Sequence, residues 1–173
     1  VLLPGNLVIL ESTCPVGTTD AVSNQLQALR PDLLSTKNQI DNSQQIFISY
    51  CPERVIPGKI LHELKYNDRV IGGIDEASTE QALKFYKSFV KGECHGVSSS
   101  KIAEMVKLTE NSFRDVNIAF ANELSMLCDE ININPWEVIQ MSNMHPRVNI
   151  LNPGVGVGGH CIAVDPWFLI SNY

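Results

Sequence analysis

Cys161 follows the stretch Gly154-Val155-Gly156-Val157-Gly158-Gly159-His160, and Asp165 stands four residues beyond it. A thiol on a glycine-rich segment can be approached closely by backbone and ligand, because glycine adds no Cβ. A cysteine can attack an aldehyde to give a thiohemiacetal, and oxidation of that adduct yields a thioester. Asp165 is placed to handle the proton. A nearby lysine ammonium would favour the thiolate and stabilise the alkoxide. The plainer alternative is a buried cysteine in a tight turn, and glycine flanking alone leaves both open.

Lys107 and Asn111 stand four residues apart, so on a helix they share a face, which Arg114 extends. Such a pair beside a cleft can bind an oxyanion and orient a substrate hydroxyl; a solvated helix face is the alternative. Glu53 follows Pro52 and could bind a substrate hydroxyl or water, or could equally be the structural ion-pair partner of Arg54. Thr13 is either a water ligand or a turn-former at a strand end. Arg147, in His145-Pro146-Arg147, is a candidate phosphate or sugar contact or a loop charge. The glycine string fits G-x-G-x-x-G, but no strand precedes it and no βαβ unit surrounds it, so the dinucleotide reading is rejected there. No Cys or His has ligand spacing to His160 and Cys161, so no metal site is expected.

The elements that would position these groups are legible as periodicities. Leu7–Leu10 is a short apolar run ending at Glu11-Ser12-Thr13 and the turn Cys14-Pro15-Val16-Gly17, which predicts a strand. Thr18, Thr19 or Asp20 can cap a helix that runs to about Leu29. Ser35–Gln45 is polar and reads as loop. Ile46–Tyr50, Arg69–Gly73 and Glu93–Val97 read as further strands, with helical spacing over Glu76–Val90. This alternation predicts a mainly parallel α/β sheet, whose ligands gather outside strand carboxyl ends, where Thr13 and Glu53 fall. From Ser100 to about Asn132 apolar residues recur at helical spacing, which gives one helix of roughly 45 Å. A helix that long crosses domain boundaries or forms dimer interfaces. Pro135 opens a shorter helix to about Met144, His145–Gly159 reads as loop, and Asp165–Ser171 can open another helix.

Composition bounds the partners. The chain has 173 residues, 44% apolar and 18% charged, enough for a real core. Its net charge of −6 and pI of about 5.1 argue against nucleic acid and anionic membranes. No apolar run approaches the roughly 20 residues of a membrane span. Five cysteines with no close pair point to reduced cytoplasmic thiols, four of them expected to be small buried hydrophobes. The opening Val1-Leu2-Leu3-Pro4-Gly5 does not read as a signal peptide; it reads as a chain met in its middle.

Five segments, in order along nearly the whole chain, resemble the UDP-glucose/GDP-mannose dehydrogenase family. They are Glu-Ser-Thr-Cys-Pro-Val-Gly at 11–17, Tyr-Cys-Pro-Glu-Arg at 50–54, Asn-Asp-Arg-Val-Ile-Gly-Gly at 67–73, Glu-Met-Val-Lys-Leu-Thr-Glu-Asn at 104–111, and Gly-Gly-His-Cys through Asp165-Pro166. Pro-Glu-Arg-Val-Ile-Pro-Gly and His-Pro-Arg-Val-Asn-Ile-Leu look like the branch acting on UDP-N-acetyl-D-mannosamine. The resemblance implies NAD-dependent oxidation of a UDP-sugar alcohol to a carboxylate with two NAD⁺. It makes Cys161 the nucleophile, Lys107 the oxyanion stabiliser and Asn111 a sugar ligand. Asp165 and Thr13 would act on a water, and Glu53 at the sugar. Thr13 and Cys161 would also face the cofactor, Arg54 and Gly158 the substrate, and Arg147 would reach substrate across a homodimer formed through the long helix. Where some relatives carry a second glutamate, this chain has Pro57.

The implied architecture is the C-terminal part of a Rossmann-like NAD domain over 1–97, lacking its G-x-G-x-x-G part, then an all-α central dimerisation domain over 98–173. On this reading the chain is an internal fragment, inactive alone. Two other readings remain open: a β-hydroxyacid-type dehydrogenase with a single hydride transfer, and a non-catalytic dimerisation module.

Overall fold

Each of the four expected apolar runs is a strand in the computed structural model, which describes residues 2–33, 45–155 and 161–171. The strands are β1 (Leu7–Leu10), β2 (Phe47–Tyr50), β3 (Arg69–Gly73) and β4 (Cys94–Gly96), and they form one sheet in the order β1-β2-β3-β4. The helices are α1 (Thr18–Leu29), α2 (Ile60–Tyr66), α3 (Glu76–Lys87), α4 (Ser100–Glu130), α5 (Pro135–Ser142) and α6 (Asp165–Ile170). The chain divides into two compact units, Val1–Lys107 and Leu108–Tyr173, and the division falls inside α4.

In the first unit β1 pairs parallel with β2 (Leu7 with Phe47), and β3 pairs parallel with β4 (Arg69 with Cys94). The sheet is thus mainly parallel, as the alternation predicts, but the β2–β3 pairing is antiparallel (Ser49 with Gly73). The sheet is two parallel pairs of opposite direction. Strand direction is not written in a five-residue apolar run. The residues between Tyr50 and Arg69 are too many for a tight hairpin and can serve a return as well as a crossover. They contain α2, which sequence patterning missed: it has seven residues and buries none of them.

β2 is buried along its whole length, as expected of a strand covered on both faces. On one face Cys51, Ile71, Ala82, Tyr86 and Val90 form a cluster with α3; on the other Leu33, Ile46 and Ile48 pack with Val8, Leu10 and Leu26. Asp75 caps α3 by accepting from Ser78 N at 2.7 Å. At Gly72 an added Cβ would lie 2.2 Å from the Ser99 carbonyl oxygen, and at Gly73 it would lie 2.5 Å from Thr79 N, so the first glycine admits the start of α4 against the sheet and the second admits the start of α3.

In the second unit α4 ends where Asn132 adopts φ 55° and Ile133 N donates back to Cys128 O at 3.0 Å, a left-handed helix stop. Phe113, Val116, Phe120 and Leu127 form an exposed stripe along α4, continued by Ile131 just past its end. Asn134 caps α5 by accepting from Trp136 N, with Pro135 in its first turn. Among the described residues no helix is long and apolar enough to cross a membrane, and no group of Cys, His, Asp and Glu could hold a metal ion. The predicted loop Ser35–Gln45 lies outside the described residues except for Gln45.

Candidate active site

The first unit presents the parallel carboxyl ends of β1 and β2 on one edge of the sheet. Three contacts fix the loop that leaves β1. Glu53 N donates to Glu11 O at 3.1 Å, Tyr50 Oη donates to Ser12 O at 3.2 Å, and Tyr86 Oη donates to Glu11 Oε1 at 2.6 Å. Burial pushes both tyrosine hydroxyls well above their ordinary range, and for Tyr86 the Glu11 carboxylate adds to it, so both act as donors. Thr13 follows directly and is half-buried. Glu53 is exposed on the same edge, its carboxylate accepting from Val55 N. Arg54 is half-buried, and its carbonyl accepts from Asn67 Nδ2 at 3.1 Å. Pro57 lies in the exposed turn ahead of α2.

α4 delivers two further groups to this edge. Lys107 Nζ donates to the Glu53 carbonyl oxygen at 2.9 Å. The ammonium is therefore held at the main chain of residue 53, with donors left for a further acceptor. One turn earlier, Glu104 is fully buried. Its carboxylate accepts from Gly17 N (2.6 Å), Thr19 N (2.8 Å) and Thr19 Oγ1 (2.6 Å). The expected side-chain cap from Thr18, Thr19 or Asp20 is not what starts α1. Gly17 occupies the cap position at φ 95°, a conformation suited to glycine, with no side-chain cap bond of its own. A carboxylate from α4 fills the helix start instead, where unpaired N–H groups and the helix dipole favour negative charge. Sequence reasoning missed Glu104. The signal was a glycine where a capping side chain belongs, together with an acidic residue beside the apolar Ala103 of α4. Cys14 lies 4.0 Å from this carboxylate, and burial, reinforced by Glu104, pushes its thiol above the ordinary range.

The second unit holds the thiol. Cys161 is exposed, and its carbonyl accepts from Val164 N (3.2 Å) and Asp165 N (2.9 Å) as the chain turns into α6. Asp165 and Asn111 are both buried, and Asn111 Nδ2 donates to Asp165 Oδ2 at 2.5 Å. Cys161, Asp165 and Asn111, drawn from two separate expected pairs, thus belong to one connected arrangement: an exposed thiol joined by one turn of backbone to a buried, oriented carboxylate. Arg147 is exposed, and its backbone N–H donates to His145 Nδ1 at 3.3 Å. Gly158 and the rest of residues 156–160 lie outside the described residues.

The thiols differ sharply in environment. Burial pushes Cys51 up to about 11 from its ordinary 9.0, and pushes Cys94 upward as well. A raised value keeps the thiol protonated until the pH approaches it, so at pH 8 the Cys51 thiolate is about 100-fold scarcer than in an unperturbed thiol. Alkylation with iodoacetamide at pH 8, mapped by peptide mass, is expected to label Cys161 first and to leave Cys51 unmodified until the pH rises toward 11 or the chain unfolds. Equal labelling of Cys51 and Cys161 in the native protein would contradict this.

Comparison with known proteins supplies the family. Residues 1–90 match the NAD binding domain of the UDP-glucose/GDP-mannose dehydrogenase family, and residues 101–173 match its central domain. The chain is 59% identical over 170 residues to UDP-N-acetyl-D-mannosamine dehydrogenase of Campylobacter jejuni, covering 98% of this chain and 41% of that protein. It is also 59% identical over 171 residues to NDP-N-acetyl-D-galactosaminuronic acid dehydrogenase of Ralstonia nicotianae, covering 99% of this chain and 40% of that protein. The solved structure of UDP-D-ManNAc dehydrogenase from Pyrococcus horikoshii superposes with a TM-score of 0.89 at 46% identity, over 99% of this chain and 39% of that one. The chain therefore spans about two fifths of the length of the curated relatives it matches. With both of its parts matched in chain order, this protein belongs to the UDP-glucose/GDP-mannose dehydrogenase family.

Proposed function

We propose that these residues form the covalent-catalysis part of an NAD-dependent UDP-sugar 6-dehydrogenase acting on UDP-N-acetyl-D-mannosamine. The observation that carries the proposal is the exposed Cys161 tied through one turn of backbone to the buried Asp165–Asn111 pair. Cys161 Sγ adds to the aldehyde carbon of the once-oxidised sugar, forming a C–S bond and an alkoxide. Lys107 stabilises that oxyanion by charge, and Asn111 hydrogen-bonds the reacting sugar. Loss of hydride leaves a thioester, and water then breaks the C–S bond to give the carboxylate and the free thiol. Asp165, with Thr13, takes the proton of that water, while Glu53 and Arg54 contact the sugar. NAD, when bound, supplies the hydride acceptor.

The residues of the first unit fit part of a dinucleotide site only. The start of α1, where a phosphate could otherwise sit, is filled by Glu104. The open part is the strand edge at Thr13, which suits the reactive end of the cofactor. On this reading residues 1–97 belong to the NAD domain and 98–173 to the central domain, and the 173 residues alone do not turn over. The exposed stripe on α4 supports a homodimer through that helix, with Arg147 reaching the partner's substrate.

The test is stoichiometry, in a chain of the relatives' length. Two NADH per UDP-sugar consumed is expected. One NADH per sugar, with aldehyde or ketone as product, would replace the proposal with a single-hydride dehydrogenase. Comparing UDP-N-acetyl-D-mannosamine with its galactosamine counterpart decides the sugar.

A further inference from the structure

The second unit moors the approach to Cys161 through asparagine side chains. Asn117 Nδ2 donates to Asn149 O at 2.9 Å, and its Oδ1 accepts from Leu151 N at 2.9 Å. Asn143 Nδ2 donates to Ile150 O at 2.9 Å, and its Oδ1 accepts from Ile150 N at 2.7 Å. Along a strand, the N–H and C=O of one residue point to one edge, and those of its neighbours point to the other. Asn143 therefore takes the edge presented by residue 150, and Asn117 takes the edge presented by 149 and 151. Two side-chain amides stand where two flanking strands would, and among the described residues no strand pairs with this segment. Three residues on, Gly154 N donates to Asn122 Oδ1 at 2.8 Å.

This arrangement is more than the satisfaction of polar groups demands. Asn149 is exposed and residues 150 and 151 are only half-buried, so water could satisfy the same backbone atoms. What water cannot do is fix the register of the segment against α4 and α5. The amide does so because it carries a donor and an acceptor in one plane, which neither carboxylate nor hydroxyl reproduces. Residue 151 precedes Cys161 by ten positions in the chain, and on the other side Cys161 is held by the turn into α6 and the Asn111–Asp165 bond. We propose that Asn117 and Asn143 are positioning residues for Cys161, acting through the backbone of 149–151 and assisted by Asn122. The proposal rests on Cys161 being the nucleophile, since otherwise its placement has no catalytic meaning.

The test places a nitroxide label on Cys161 in a chain whose other accessible thiols are removed (Cys14→Ala, Cys94→Ala), and compares Asn117→Asp and Asn143→Asp with the parent. Each substitution keeps size but removes the donors. The mobile component of the label's spectrum is expected to rise about threefold while the far-UV helix signal is unchanged. A label on Cys94 in a Cys161→Ala chain should not respond. In the enzyme assay kcat is expected to fall about tenfold with KM retained, the mark of misplacement rather than lost binding. If either variant does not fold, the corresponding Ser variant, which keeps an acceptor and loses the planar pair, carries the same expectation. An unchanged spectrum at Cys161, or an equal change at Cys94, would overturn the proposal. Neither result depends on the identity of the nucleophile; that reading fails separately, if Cys161→Ser still forms acid.

Discussion

Cys161→Ser is expected to abolish acid formation, with a loss of about 10³-fold or more, equivalent to roughly 4 kcal/mol of transition-state stabilisation. A hydroxyl is a far weaker nucleophile than a thiolate at neutral pH. The carboxylate that follows residue 161 one turn later, Asp165, is buried and held by Asn111. The first oxidation does not need the thiol, so the variant should still bind substrate, which separates a chemical defect from a folding one. The measurement is NADH and carboxylate formed per enzyme over time, in a chain of the relatives' length. A single-hydride dehydrogenase, which shares a Lys and Asn one turn apart but uses no cysteine, would change by less than about threefold on the same substitution. Retention of acid formation would remove Cys161 from the mechanism.

Glu104→Ala should have the largest effect on stability. Glu104 is fully buried, and three donors converge on its carboxylate, two of them from the fully buried Thr19. Removing it strands those donors and leaves a cavity, at about 1–3 kcal/mol for each unsatisfied group. A total near 4 kcal/mol is expected, which lowers the melting temperature by on the order of 10 °C. Glu104→Gln keeps the volume and an acceptor and should lose about half as much. Thermal unfolding followed by circular dichroism checks both. If the alanine variant melts within about 3 °C of the parent, the carboxylate is not what holds the start of α1.

The parts of the fold legible in the sequence were those written locally. Leu7–Leu10, Phe47–Tyr50 and Arg69–Gly73 are apolar runs between turn residues, and α4 repeats its apolar positions for eight turns; neither needs tertiary information to be seen. Cys161, Asp165 and Asn111 stood out in the sequence as residue types, each with a plainer alternative beside it, and the bond between Asn111 and Asp165 is what only the structure adds. What stayed hidden depends on partners distant in the chain. The cap of α1 comes from a residue 85 to 87 positions away. The direction of β3 depends on a connection compatible with either pairing. The asparagine moorings were hidden too, because an asparagine on α4 or at the end of α5 looks the same in a sequence whether it holds a distant backbone or faces water. The contact of Lys107 with the carbonyl of Glu53 was hidden in the same way, since spacing along the chain shows only that Lys107 and Asn111 share a helix face.

The reversal of β3 and β4 has a consequence for how this chain tolerates change. β4 runs away from the edge that carries Thr13 and Glu53, and α4 must turn back toward it to deliver Glu104 and Lys107. The opening turns of α4 therefore act as a ruler with a phase. One residue inserted between Ser100 and Glu104 would advance everything after it by about 1.5 Å and rotate it by about 100°, carrying carboxylate and ammonium off their targets together. Exposed positions in those turns, such as Lys101 and Ile102, can vary in type, whereas the count of residues cannot.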